Sequence, residues 1–231
     1  MNDWIEAESR AERAQTLYEQ GRWAEAAAEL RAAIDIVPYN AAWHFNLALT
    51  LEAMEDYSRA CRAYRSALSL APEDVEALNC LGMNLTRLGR YAEALRCFRR
   101  AERLEPAYEP TYCNRIVTYA EMGQHEQAEV MFYLARQLQD ECPLCYHNIA
   151  GSLYARGQVD RAMWCWRRAL ELDPAQGEAH ARLAEAHWSR GELSEAARHF
   201  QAELRLHGDD VPTLLDYGEL LIDMGRLSAA R

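Results

Sequence analysis

One alanine recurs every 34 residues along this chain: Ala26, Ala60, Ala94, Ala128, Ala162, Ala196 and Ala230 form an unbroken column of seven. A period of this length is the mark of a stack of supersecondary units, none of which can bury its apolar face alone. Five residues before each alanine stand Gly21, Glu55, Gly89, Gly123, Gly157, Gly191 and Gly225, and four after it Leu30, Tyr64, Phe98, Phe132, Trp166 and Phe200. Twelve after it come Pro38, Pro72, Pro106, Asp140, Pro174 and Gly208. Glycine supplies the positive φ that ends one helix, and proline stops the next. Alanine permits two helices to approach closely, while the aromatic fills the wider gap one turn on. A second small column, Ala14, Ala48, Gly82, Ile116, Ala150, Ala184 and Gly218, plays the same part on the first helix of each pair.

Between these punctuation points apolar residues recur at three and four, as in Leu47 and Leu51 or Ala60, Tyr64 and Ala67. Each unit is therefore predicted to be a helix–turn–helix with helices of about a dozen residues. The expectation is an all-α solenoid of tandem antiparallel helix pairs, forming one domain over residues 1–231. Repeats are expected at 7–40, 41–74, 75–108, 109–142, 143–176 and 177–210, with a partial repeat at 211–231.

The units running from Trp43-His44-Phe45-Asn46-Leu47-Ala48 to Pro72, and from Tyr146-His147-Asn148-Ile149-Ala150 to Pro174, resemble the tetratricopeptide repeat family. That resemblance, over residues 7–231, implies a right-handed superhelix whose first helices line a concave groove. Ile116, Asp140, Gly208 and Glu203 depart from the pattern, and Ile116 with Asp140 makes the fourth repeat the least regular.

On the first helices one column reads Glu12, Asn46, Cys80, Asn114, Asn148, Arg182 and Asp216. An amide offers both a donor and an acceptor, so Asn46, Asn114 and Asn148 could pair with the backbone of an extended peptide without reading its side chains. The alternative is that these asparagines serve packing between repeats. Phe45, Leu49, Met83, Val117, Tyr154 and Trp188 fall on the same surface, with Phe45 and Trp188 expected in the groove and Leu49 and Val117 in the core. Eleven carboxylates (Glu8, Glu12, Glu19, Glu52, Glu76, Glu121, Glu178, Glu185, Asp216, Glu219 and Asp223) share it with only Arg87 and Arg182. The arginines Arg62, Arg65, Arg96, Arg99, Arg100, Arg167 and Arg168 belong instead to second helices.

The expected peptide-binding residues are therefore Asn46, Asn114, Asn148, Arg182, Phe45, Met83, Tyr154 and Trp188, holding a basic or neutral segment. The carboxylate-gripping clamp of family co-chaperones is not expected, because Glu76, Cys80, Cys113 and Glu178 stand where its cations would be. A formal charge of −11 argues against nucleic acid as a partner.

No lysine occurs, which removes lysine-based catalysis, and no phosphate loop, His-Glu-x-x-His or nucleophile elbow is present. No enzyme activity, cofactor or metal is expected. The alternative function is a substrate-recognition arm of a larger modifying enzyme, glycosyltransferase-like, with its catalytic part beyond residue 231. Cys142-Pro143-Leu144-Cys145, with His147 close by, lacks the second half that a zinc site requires and reads as packing cysteine. His180 is expected in the core. Seven scattered cysteines, no leader and no apolar span place the chain in the cytoplasm, away from membranes. The stop at Leu227-Ser228-Ala229-Ala230-Arg231 leaves a repeat without a capping helix, so a longer native protein or self-association through that end is expected.

Overall fold

A computed structural model describes residues 2–139 and 141–225. Asp140 and residues 226–231, which include Ala230 and the proposed uncapped end, lie outside the described residues. The described residues form thirteen α-helices and no strand, the all-α solenoid architecture expected from the repeat. They divide into two compact units, with the boundary between Met122 and Gly123 inside the fourth repeat.

The first unit contains α1 (Asn2–Glu19), α2 (Trp23–Ile36), α3 (Ala41–Ala53), α4 (Tyr57–Leu70), α5 (Val75–Arg87), α6 (Tyr91–Leu104) and α7 (Glu109–Glu121). Helices pair as α1 with α2, α3 with α4 and α5 with α6, and each second helix packs on the first helix of the next repeat. The second unit contains α8 (His125–Leu138), α9 (Pro143–Ala155), α10 (Val159–Leu172), α11 (Ala179–Ser189), α12 (Leu193–Leu206) and α13 (Val211–Asp223). There α9 pairs with α10 and α11 with α12, while α8 packs on α9, α10 on α11 and α12 on α13.

The helix ends follow from local chemistry. Asn40, Asp74 and Asp210 cap first helices by accepting from the backbone N–H three residues on, at 3.3, 2.8 and 3.1 Å. In α9 the sulfur of Cys142 does the same for Cys145 N at 3.2 Å, so the first cysteine of the C-x-x-C stands where other repeats use an oxygen. Each first helix ends on a left-handed residue, with φ of 69 to 75° at the six glycines of the column. The following N–H reaches back five residues, as Arg22 N does to Leu17 O at 2.9 Å. Glu55 holds the same turn at φ 58° despite its side chain.

Inside each pair the small and aromatic columns interdigitate. A Cβ added at Gly82 would lie 2.5 Å from the ring of Phe98, and both residues are buried. Ile116, bulky in that column, is fully buried in the first unit. Arg115 stands where α3, α5, α9 and α11 carry Leu47, Leu81, Ile149 and Leu183, and it bonds Glu102 at 2.8 Å, with only 8% of Arg115 exposed.

Glu203 is the other exception, occupying a column that otherwise reads Ala33, Ala67, Ala101, Ala135 and Ala169. Its partner explains it. Gln176 and Gly177 cannot cap α11, Glu178 takes φ 60°, and the helix begins two residues later than the 34-residue spacing would place it. The carboxylate of Glu203, 2% exposed on the neighbouring α12, accepts from Ala181 N at 3.2 Å and so caps α11 from across the pair.

Two outcomes follow. Gly82→Ala should destabilise the fold by about 1–3 kcal/mol through the clash with Phe98, read as a lower urea midpoint. Glu203→Ala restores the residue of every other repeat, yet it should cost about 0.5–2 kcal/mol because α11 loses its cap. A variant at least as stable as the parent would refute that role.

Candidate functional site

The first helices carry the expected binding residues, in two sets. In the first unit Asn46 and Phe45 lie on α3, Met83 on α5 and Asn114 on α7, all half-buried. The side chain of Asn114 is tied into the packing between repeats. Thr50 Oγ1 donates to Asn46 O at 2.7 Å and Thr118 Oγ1 to Asn114 O at 2.9 Å, so each asparagine carries a hydroxyl one turn on. Asn114 Nδ2 donates to Asn79 Oδ1 of the preceding repeat at 3.1 Å. That bond uses one of two N–H groups and leaves the Asn114 carbonyl as an acceptor. Asn46 lines, with Gln15, Tyr18 and Leu49, a cleft of about 30 Å³ toward the first repeat. Phe45 meets Tyr64 edge-on with ring centroids 5.6 Å apart, and together with Met83 it packs against the core. Leu49 and Val117, expected in the core, are half-buried like the residues expected in the groove.

Cys80, between these asparagines in the column, sits in a polar knot. Glu52 accepts from Tyr64 OH at 2.9 Å and from Asn84 Nδ2 at 2.7 Å. Burial holds the Tyr64 phenol protonated as a donor and pushes the Cys80 thiol up to about 11. Glu52 is therefore committed within the fold, and Arg87 is held over the Tyr57 ring at 5.3 Å. Glu52 is thus not a freely presented groove charge, whereas Arg87 remains exposed.

In the second unit Asn148 and Tyr154 lie on α9 and Arg182 and Trp188 on α11. Asn148 is half-buried, and Tyr154 leans on the buried Trp166 at 5.7 Å. Trp188 packs its edge on Phe200 and donates from Nε1 to Asp223 at 2.9 Å. Arg182 is exposed and bonds Glu178 and Glu185, each at 3.1 Å, on its own helix. Around it opens a cleft of about 600 Å³ between α11 and α13, with Glu178, Glu185, Glu203, Asp209, Asp210 and Asp216 in its walls. Arg182 and His207 also line it. Sequence reading singled out Glu203 as a departure but did not place it here; the signal was a carboxylate in an alanine column.

Behind this cleft α11 and α12 bring three histidines together. His180 and His199 share one hydrogen bond between their Nδ1 atoms at 3.0 Å, one donating and the other accepting, and His187 stacks on His199. His187, buried rather than His180, bonds Glu192 through Nδ1. Burial, then the neighbouring His180, His187 and Arg167, push His199 down from 6.5 to about 4, against a smaller opposing pull from Glu195. Burial also lowers His180, with Glu203 opposing.

Because the folded chain resists these protons and the unfolded chain accepts them near 6.5, the contribution is fully present above that pH and is lost as pH falls toward 4. The melting temperature should drop across that window, and His199→Phe should flatten the drop. An identical pH profile for parent and variant would exclude the cluster as its source.

No helix of the described residues is long and apolar enough to cross a membrane. No curated protein matches the chain by sequence. Solved structures match its fold. A tetratricopeptide repeat protein from Parabacteroides merdae aligns with TM-score 0.72 and 18% identity, over 98% of this chain and 90% of that one. PilF of Pseudomonas aeruginosa aligns with TM-score 0.67 and 20% identity over 96% and 100%. PilW, described as a widely conserved type IV pilus biogenesis factor, aligns with TM-score 0.73 and 20% identity over 89% and 95%. At these identities the likeness concerns the fold. Family models for the tetratricopeptide repeat match residues 14–55, 41–74, 75–108 and 148–211. With helix pairs, turn geometry and family models in agreement over most of its length, the chain belongs to the tetratricopeptide repeat family.

Proposed function

We propose that this protein-interaction scaffold takes an extended, basic or neutral polypeptide segment along the first-helix face of its repeats, without catalysis of its own. The observation that carries the reading is the cleft between α11 and α13, where six carboxylates stand against Arg182 and His207. A concave surface of one sign raises the local concentration of an oppositely charged ligand, and the effect falls as salt screens it. Arg182 is already shared between Glu178 and Glu185, so Asp209, Asp210 and Asp216 give the cleft its sign.

Amides of Asn46, Asn114 and Asn148 supply backbone contacts in this reading. Each such hydrogen bond adds a net ~0.5–1.5 kcal/mol, so three alone would give binding of only about millimolar strength. Apolar anchors must add the remainder. Phe45, Met83, Tyr154 and Trp188, all half-buried, keep part of their surface for a ligand side chain. Each buried ligand side chain would contribute about 1.5–3 kcal/mol.

The test is titration of a panel of extended arginine- and lysine-bearing peptides against the whole chain. The double change Asn114→Ala with Asn148→Ala should weaken binding about tenfold while helical content stays the same. Affinity untouched by that change would refute the asparagine contacts, and affinity indifferent to salt would refute the acidic face.

A further inference from the structure

The second helices of the first unit carry the opposite charge. Helix α4 holds Arg59, Arg62 and Arg65 and no carboxylate, while α6 holds Arg96, Arg99, Arg100 and Arg103. All seven are exposed. The carboxylates of α6 are both engaged. Glu93 bonds Arg65 at 3.2 Å and Arg90 at 2.6 Å, and Glu102 is bound by the buried Arg115. Seven arginines concentrated on two helices of a chain with net charge −11 amount to a segregated cationic face.

That face is not flat. Between α4 and α6, over α5, lies a cleft of about 410 Å³ lined at depth by Leu68, Leu78, Leu81 and Leu85 and at its edge by Arg65, Arg96 and Arg100, with Glu93, already bonded to Arg65 and Arg90, beside them. Short side chains, Ser69 on α4 and Cys97 on α6, also line it and leave it open. Arg100 is steadied by donating to Pro72 O at 2.5 Å, and Arg65 by its bond to Glu93.

We infer that this cleft is a second interaction surface, which docks an acidic protein segment by seating one apolar side chain between α4 and α6 while the flanking carboxylates meet Arg65, Arg96 and Arg100. Charge complementarity selects the sign of the partner, and the guanidinium fork suits carboxylates because it can bind both oxygens at once. The apolar depth favours a protein over a nucleic acid or a lipid headgroup. A phosphate backbone would use the arginines but leave Leu68 and its neighbours unused, whereas a leucine- or phenylalanine-sized group uses both. This surface belongs to α4, α5 and α6 of the first unit and shares no residue with the acidic cleft of the second unit.

Selection of the intact chain against a phage-displayed library of random peptides tests the assignment. Enriched peptides should include a class with aspartate or glutamate around a single apolar residue. Their affinity should fall about tenfold in the charge-reversed Arg65→Glu with Arg96→Glu variant and fall again as salt is raised. Ser69→Tyr, which plugs the cleft without altering charge, should weaken them comparably, and Asn114→Ala with Asn148→Ala should leave them unchanged. All three positions altered on this face are exposed or half-exposed, and circular dichroism would verify that the variants fold. Three results would overturn the proposal: no acidic class sensitive to Arg65→Glu with Arg96→Glu, acidic peptides indifferent to Ser69→Tyr, or charge-reversal-sensitive binding of short RNA duplexes or phosphatidylglycerol vesicles in place of peptides.

Discussion

Close approach between the two helices of a pair is the constraint on which the architecture rests. At Gly82 the ring of Phe98 sits so near that even one carbon would not fit. The column of Ala26 and its successors is buried with no measurable exposure wherever it is described. Such contacts fix the spacing of a pair. The spacing decides which side chains of the first helix remain partly exposed, and those side chains constitute the candidate binding face. Burial of the aromatics, Tyr64, Phe98, Trp166 and Phe200, adds the apolar area that offsets the entropy of ordering each hairpin.

Three of the polar groups admitted into this packing have an identifiable task. Glu203 replaces an alanine and caps a helix whose own N-terminus lacks a capping side chain. Arg115 and Glu102 replace an apolar contact with an ion pair. Glu52 gathers Tyr64 and Asn84 into one network. A buried polar group without a partner costs more than the bond it could make, and in these three cases a neighbour one or two helices away supplies the bond. The half-exposed amides and aromatics of first helices, and the exposed charges, are what remains for the proposed binding. Carboxylates gathered around the cleft beside α11 and α13, and arginines on α4 and α6, let a chain of strongly negative net charge present surfaces of both signs.

Much of this was legible in the sequence because a repeat multiplies the signal. A single Gly or Pro predicts a turn weakly, but six glycines at one register leave little choice, and the structure gives all six the same left-handed φ. The asparagine column was equally visible, as were the arginines of the second helices. Partner identity at each position was not. Trp188 reads as a groove aromatic, yet its indole N–H is bonded to Asp223, a residue 35 positions on. Glu52 and Arg87 read as groove charges, yet one is bonded to Tyr64 and Asn84 and the other lies over Tyr57. His187, rather than His180, is the buried member of the histidine cluster.

Sequence by itself determined the period, the helix pairs, their turns and the separation of charge between first and second helices, because these depend on spacing along one chain. Tertiary structure alone decided which polar groups are already bonded to one another, where clefts open at Ser69, Cys97 and Arg182, and why Glu203 is tolerated in the core. Those outcomes depend on distances between side chains of different helices, and a few tenths of an ångström there separate a hydrogen bond from an open site.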